Sequence, residues 1–407
     1  MTELPEDFIH ETRRLMGEER FNRYLEAFNE EAPTSIRMNP RLSQGGKRGI
    51  LTASLSPCKV PWCEEGYYLK GRPQFTFDPL FHAGCYYVQE ASSMFISHVL
   101  RHLVKTPVDM LDLCAAPGGK STAARSVLPE QSTLISNEPI PTRAQILLEN
   151  ITKWGWPDTI VTNNYPRDFR KTKARFDVIL CDVPCSGEGM FRKDPDTIGE
   201  WSLQNVDKCW RLQREIVADA WACLNPGGIL IYSTCTFNTK ENEENVRWIL
   251  DAYDAEPIPI PIQQEWHITG SLLEGFDAPV YRFIPGITRG EGLFVCALRK
   301  SGQPIGKSKN HGLAPSIRNL KVLTADLPQG EFPQVELSYA AILKYLRGEA
   351  LTLPADTPRG IVSVTYHSIP IGPVKNIGNR ANNLYPKPWR IKTTHLPSEP
   401  IEILNIQ

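Results

Sequence analysis

Residues 108–125 read VDMLDLCAAPGGKSTAAR. Val108–Leu113 is a short apolar run. Cys114 and the small residues Ala115, Ala116, Pro117, Gly118 and Gly119 follow, and Lys120 and Ser121 open a helically patterned segment. A buried strand, a turn whose small residues let a ligand approach the backbone, and a helix make the first unit of an open α/β sheet. Such sheets bind ligands beyond the carboxyl ends of their strands, at the topological switch point. The turn is neither the dinucleotide GxGxxG nor the phosphate-loop GxxxxGK[ST]. Taken alone, it is equally well a tight strand–helix connection.

Four further apolar runs follow: STLISNE (132–138), DTIVTNN (158–164), FDVILCD (176–182) and GGILIYSTCTF (227–237). Helical stretches alternate with them at Lys120–Leu128, Thr142–Trp154, Val206–Leu224 and Lys240–Asp251. This alternation predicts a parallel, doubly wound α/β sheet. YRFIP, from Tyr281, and GLFVCALRK after it are expected to close the sheet as an antiparallel pair. Upstream, Phe8, Leu15, Phe21, Leu25 and Phe28 predict a helix over 5–30. A Pro-rich irregular stretch runs to about residue 80, and EASSMFISHVLRHLV, after Gln89, reads as a second helix. The expected organisation is an N-terminal α+β accessory region (1–80), a catalytic domain (81–300), a linker (301–335), a small α+β domain (336–395) and a tail (396–407).

Of 407 residues, 45 are basic and 46 acidic, a net charge of −1, so bulk charge gives no argument for a nucleic-acid partner. The balance is uneven: residues 301–407 hold 12 basic and 7 acidic groups. No run reaches the roughly 18 apolar residues of a membrane span. The opening MTELPEDFIHETRRLM mixes charges from its third residue, so no signal peptide and a cytoplasmic location are expected. The ten cysteines form no paired CxxC set; free thiols and no metal site are expected.

Three strand ends then carry candidate chemistry. Glu138, 19 residues past Gly119, ends the second strand, where a carboxylate is placed to accept both hydroxyls of a nucleoside ribose. Asp182 and Cys185 follow the fourth strand, and Cys235 follows the fifth. Either cysteine alone is well explained by core packing. Two thiols converging on one crevice, beside an acid and a nucleoside-type pocket, are not.

AAPGGKS, DVPCSGEG and YSTCTFNTKENE, in this order and spacing, resemble the RNA cytosine carbon-5 methyltransferases of the Nop/Sun family, and within it the bacterial RsmF type. TSIRMNP (34–40) and DPLFHAGCYYVQEASSM (78–94) match the family's N-terminal motifs. ILKYLRGEAL, PIGPVKNIGNR and NNLYPKPWRI match its C-terminal PUA-like RNA-binding domain. The resemblance implies a Rossmann-like methyltransferase core, S-adenosylmethionine as cofactor and 16S ribosomal RNA, within the small subunit, as partner. It implies Cys235 as nucleophile at carbon 6 of cytosine and Cys185 in proton removal from carbon 5 and release. Asp182 is implied to pair with ring nitrogen 3 and the exocyclic amine, with Lys120 placing the base or polarising the site. The cofactor is implied to lie over Cys114–Lys120, with Glu138 on the ribose and Asp182 also in its site. The family usually carries an Asp near the adenine amine. Here the aligned position is Tyr165, and Asp168 belongs to a different motif position, so either Asn164 supplies the contact or it is lost.

A stacked base cannot reach two thiols in a crevice, so it must be flipped out or already unpaired. Arg37, Arg192 and Lys193 are expected to hold phosphates. Tyr366, Tyr385 and Trp389, among Lys375, Arg380, Lys387 and Arg390, are expected to offer stacking and charge. A monomer without DNA or membrane partners is expected. Two alternatives stand beside this reading: the same chemistry on transfer RNA or 23S RNA, and an assembly factor with a vestigial site.

Overall fold

The N-terminal helical stretch is two helices, Glu6–Met16 and Glu18–Glu26, because Gly17 between them adopts φ 75° and ψ 163°. The computed structural model describes residues 3–41, 58–303, 317–393, 395–401 and 403–404. Parts of the expected Pro-rich stretch (42–57), linker (304–316) and tail (402, 405–407) lie outside the described residues. The two helices bury Phe8, Phe21 and Tyr24 against Phe191, Trp201 and Phe237. The Phe8 and Phe191 rings meet edge-on at 5.0 Å, and the Tyr24 and Phe237 rings at 5.4 Å. A fully buried aromatic contributes about 2–3 kcal/mol. The helices therefore brace the loops that follow two core strands.

The accessory region also forms an antiparallel sheet in the order β2-β1-β3, from β1 (Ser35–Met38), β2 (Gly66–Tyr68) and β3 (Tyr86–Val88). The expected helix after Gln89 starts as a 3-10 turn, Ser92–Met94, and runs as α-helix over Phe95–Leu103.

The core strands are β4 (Asp109–Asp112), β5 (Thr133–Asn137), β6 (Thr159–Thr162), β7 (Phe176–Asp182) and β8 (Leu224–Thr234). β9 (Ala255–Pro257), β10 (Tyr281–Phe283), β11 (Leu293–Lys300) and β12 (Val322–Leu323) complete the sheet. The order is β10-β11-β8-β7-β4-β5-β6-β12, with β9 on β11. β4 through β8 pair in parallel, and β11 runs antiparallel to β8. Runs such as Val178–Cys181 are apolar without alternation because helices cover both faces. Phe95–Leu103 and Gly119–Val127 pack on one face, and Leu203–Cys223 and Glu243–Ala252 on the other. Order reverses between β4 and its neighbours β5 and β7, so the crevice opens over the carboxyl ends of β4, β5, β7 and β8.

The C-terminal unit is a sheet ordered β13-β14-β15-β16, from β13 (Gln334–Glu336), β14 (Gly360–Tyr366), β15 (Ile369–Asn376) and β16 (Ala381–Asn383), with the helix Tyr339–Leu346. Its core is continuous with the N-terminal sheet: Ile36, Met38, Phe75 and Leu80 cluster with Ile342, Leu346, Val364 and Val374. Within the stretch read as linker, Ile317 and Leu320 are buried in the core of the large sheet, and Val322–Leu323 pairs with the edge strand β6.

Candidate active site

Four strand ends build the crevice. Register places Asp112 opposite Ser136 and Leu180, and Asp182 opposite Ser233. Asn137, which sequence reasoning missed, ties the ends of β4 and β5 to that of β6. Its amide donates to the carbonyls of Leu113 (3.1 Å) and Asn164 (2.9 Å), and its oxygen accepts from the Asn164 amide (3.1 Å) and the Thr162 hydroxyl (2.9 Å).

The turn Cys114–Gly119 lies over β4 and β5. Ala115 N–H donates to the Asn137 carbonyl at 2.8 Å, Arg143 holds the Ala116 carbonyl at 3.1 Å and Asn150 the Pro117 carbonyl at 2.8 Å. Gly118 sits at φ 113°, a conformation side chains rarely adopt. Beneath the turn, Asp112 accepts from Ser121 at 2.6 Å, while its other oxygen has no partner. Burial pushes this carboxyl up to about 7, against the Ser121 hydrogen bond. Glu138 ends β5 with one oxygen accepting from Ile140 N–H at 2.9 Å and the other 3.6 Å from Arg143. Burial pushes the Cys114 thiol well up, so it stays protonated.

Lys120 donates to Asp182 at 2.8 Å, and Ser233 donates to the other carboxylate oxygen at 3.0 Å. Burial alone would lower the Lys120 ammonium, but the Asp182 charge and hydrogen bond outweigh it and the net direction is up.

Cys185 and Cys235 come together with their sulfurs 3.2 Å apart, and the Cys235 N–H points at the Cys185 sulfur at 3.4 Å. Two adjacent thiols cannot share one hydrogen bond equally. The bond from Cys185, before burial, holds the Cys235 sulfur below the usual thiol range; the same bond, then burial, pushes Cys185 well above it. The pair thus favours a thiolate on Cys235 over one on Cys185.

The structure thereby brings together Cys235, Cys185, Asp182 and Lys120, with the Cys114–Gly119 turn and Glu138 on the neighbouring strand ends. Asn164 joins these strand ends through its backbone, and its side chain turns to another segment. Its amide donates to the Lys321 carbonyl at 3.2 Å and its oxygen accepts from Lys321 N–H at 3.0 Å, so it clamps the chain entering β12. Tyr165 is 57% exposed, and Asp168 accepts from its backbone N–H at 3.1 Å, capping the helix Pro166–Thr172.

Several expected RNA contacts are corrected. Arg37 is 1% exposed: it donates to Gln89 (2.7 Å) and Thr122 (2.6 Å) and lies 4.5 Å over the Trp154 ring. Arg192 is buried against Glu291 at 2.6 Å and the Ala27 carbonyl at 3.0 Å. Both guanidiniums are engaged in joining elements. Tyr366 and Tyr385 are core residues of the C-terminal unit, and Arg390 donates to the Tyr385 carbonyl. Lys193, Lys375, Arg380 and Lys387 are exposed, and Trp389 is half-buried. Among the described residues no helix is long and apolar enough to cross a membrane.

The model of the family described as 16S rRNA methyltransferase RsmB/F matches residues 103–299. Models of the N-terminal domain of 16S rRNA methyltransferase RsmF and of the methyltransferase RsmF PUA domain match 4–91 and 332–391. A ribosomal RNA small subunit methyltransferase F of Pectobacterium atrosepticum is 36% identical over 252 residues, 60% of this chain and 51% of that protein. The same-named protein of Citrobacter koseri is 34% identical over 313 residues, 73% of this chain and 63% of its own. The chain spans about half the length of the first of these relatives and under two thirds of the second. A methyltransferase homolog protein from Pyrococcus horikoshii superposes with TM-score 0.57 and 26% identity, covering 73% of this chain and 100% of that one. The structure of NSun6 from the same organism with SFG shares the fold at TM-score 0.59 and 20% identity, over 74% of this chain and 99% of that one.

Proposed function

The chain belongs to the RsmF branch of the 16S rRNA methyltransferase RsmB/F family, and on that premise we propose that it methylates carbon 5 of a cytosine in 16S ribosomal RNA, with S-adenosylmethionine as methyl donor. The observation that carries the reading is the sulfur pair, 3.2 Å apart, beside the Asp182–Lys120 ion pair.

The residues fit this donor. Its ammonium and two ribose hydroxyls need acceptors. Asp112 has an unpartnered buried oxygen, and Glu138 and Asp182 end neighbouring segments of the crevice. The Gly118–Gly119 turn leaves bare backbone at the start of a helix, where N–H groups favour a carboxylate. We assign the cofactor to Cys114, Ala115, Ala116, Pro117, Gly118, Gly119 and Lys120, with Glu138 on the ribose and Asp182 at the reacting end. Asn164 we leave as a clamp of Lys321. When bound, the donor supplies an electrophilic methyl group on a sulfonium sulfur.

Carbon 5 of cytosine is a poor nucleophile. Addition of the Cys235 thiolate to carbon 6 moves the ring π pair toward carbon 5 and ring nitrogen 3, making carbon 5 enamine-like. Asp182 accepts from the exocyclic amine, and a proton taken up from solvent as the base binds is shared between its carboxylate and nitrogen 3 and ends on nitrogen 3, which neutralises the charge gained there. Lys120 holds Asp182 in place through their hydrogen bond. The bond that keeps the proton on Cys185 lasts only while Cys235 is a thiolate. Once the carbon–sulfur bond forms, that hold is gone, and Cys185 gives its proton to solvent and, as the thiolate, accepts the proton from carbon 5. Removal of the carbon-5 proton after methylation returns the electron pair to the ring and expels the Cys235 thiolate.

The test is Cys235→Ala with radiolabelled donor and 30S subunits. Methyl incorporation into 16S RNA is expected to vanish while donor affinity by calorimetry is kept. Retained incorporation would sink the mechanism; incorporation into transfer RNA or 23S RNA by the unaltered protein, with 16S RNA untouched, would overturn the substrate.

A further inference from the structure

Glu188 and Glu241 lie in the segments PCSGEG and TKENE, yet the reaction above gives neither a task. Both are buried, at 2% and 0% exposure. Each reaches across to the loop that carries the other cysteine. Glu241, six residues after Cys235, accepts the N–H of Ser186, next to Cys185, at 3.0 Å. Glu188, three residues after Cys185, accepts the N–H groups of Phe237 and Asn238, just past Cys235, at 2.7 and 2.9 Å. The Asn238 amide spans the two carboxylates at 2.8 and 3.0 Å. Gln213 (2.6 Å) and the Trp201 indole (3.0 Å) supply the remaining donors. Every partner of these carboxylates is a donor, so both act as acceptors only. The loops are also in close backbone contact: Gly189 N–H donates to the Cys235 carbonyl at 2.9 Å.

We propose that Glu241 and Glu188 form a reciprocal clasp that positions the Cys185 thiol to donate to the Cys235 sulfur and so maintains the nucleophile as a thiolate. Its catalytic use rests on the reading of Cys235 as nucleophile; its geometry does not. The groups facing the Cys235 sulfur are Cys185 and Asp182 from the end of β7, Lys120 from the helix over β4, Cys209 from the helix Leu203–Cys223, and Glu241 from its own loop. Glu241 therefore acts in two opposed ways. Its charge, taken alone, disfavours the thiolate. Its hold on Ser186 favours the thiolate by seating Cys185. The sign of a substitution separates them.

The experiment follows alkylation of Cys235 by iodoacetamide against pH, read on the Cys235 peptide by mass spectrometry. The unaltered protein, Glu241→Gln, Cys185→Ala and the double variant are compared, with no RNA present. The side-chain amide introduced by Glu241→Gln would turn an N–H toward two of the three donors and loosen the Cys185 loop. The apparent Cys235 pKa is expected to rise by about one unit, which slows alkylation about tenfold at pH values well below it. Cys185→Ala is expected to raise it similarly, and the double variant no further. A fall in pKa, no change, or an equal rise with Cys185 absent would overturn the clasp. If Glu241→Gln does not fold by circular dichroism, Glu188→Gln carries the same test with the same signs. The function is judged separately, by a Cys235-dependent RNA adduct in Cys185→Ala. With no such adduct and the expected signs, the clasp stands and the function falls; with an adduct and the wrong signs, the reverse holds.

Discussion

Arg37→Met separates a buried tie from a phosphate contact. Arg37 makes two short charge-assisted bonds, to Gln89 at 2.7 Å and Thr122 at 2.6 Å. Such bonds contribute about 1.5–3 kcal/mol each, and a desolvated cation over an aromatic ring adds about 2 kcal/mol. Against this stands the cost of burying the charge, visible in a guanidinium pulled down to about 10 by burial, or about 3 kcal/mol at 1.36 kcal/mol per unit. Methionine keeps most of the apolar stem but leaves the Gln89 oxygen, whose amide nitrogen is already unpartnered, without a donor. The net loss is expected to be about 3 kcal/mol. It would be measured by urea unfolding followed by tryptophan fluorescence. RNA affinity would be measured in parallel against salt concentration. The slope of log affinity on log salt is expected to stay unchanged, because no phosphate contact is removed. A variant as stable as the unaltered protein, with a slope reduced by about 0.7–1, would refute the structural assignment of Arg37.

Further outcomes are expected elsewhere. Asp112 has a folded carboxyl raised to about 7, so the folded state binds the extra proton between about 4 and 7; stability should fall across that window as pH rises and level off above it. Asp112→Asn should flatten the pH slope in denaturation and gain up to about 4 kcal/mol at pH 8; an unchanged slope would contradict the assignment. Lys120→Met should lower kcat for methyl transfer by about 100-fold or more through the loss of a charge held on Asp182, with the fold kept by circular dichroism; full activity would remove Lys120 from the site. Asn164→Ala deletes two hydrogen bonds worth about 2 kcal/mol together and should speed amide exchange over 320–323 without reaching β4; undiminished protection there would refute the clamp. Gly189→Ala places a Cβ 2.6 Å from the Gly292 Cα, and should cost about 2–3 kcal/mol and shift the Cys235 alkylation profile.

The catalytic fold was legible because parallel strands covered on both faces leave an unmistakable mark: apolar runs without alternation, separated by helical periods. The three-residue strands β2 and β3 leave no period to read, so the accessory sheet stayed hidden in a Pro-rich stretch. Residues 317–323 look like linker because the segment is short and Arg318, Asn319 and Lys321 break up its apolar residues, of which tertiary contact alone buries Ile317 and Leu320. The two thiols, Asp182 and Glu138 could be found from sequence because each follows a strand end, and strand ends converge. Glu188 and Glu241 could not. Buried carboxylates in GEG and KENE look like solvated ones until the backbone donors 49 to 55 residues away are in place. The same blindness made Arg37 and Arg192 look like surface cations: the carboxylate paired with Arg192 lies 99 residues away.

The continuous core between the first and last parts of the chain sets a timetable for synthesis. Phe77 accepts from the Tyr339 hydroxyl at 3.0 Å, and His82 bonds Tyr385 at 3.2 Å. When Ile36, Met38 and Leu80 leave the ribosome, the residues that will cover them are about 250 codons from being made. At roughly 5–20 residues per second, the accessory sheet waits about 10–50 s with that apolar flank open. The nascent chain therefore passes through a long interval in which its earliest sheet is a target for chaperones, and a ribosome that stops before the last helix releases a chain that cannot close over its own beginning.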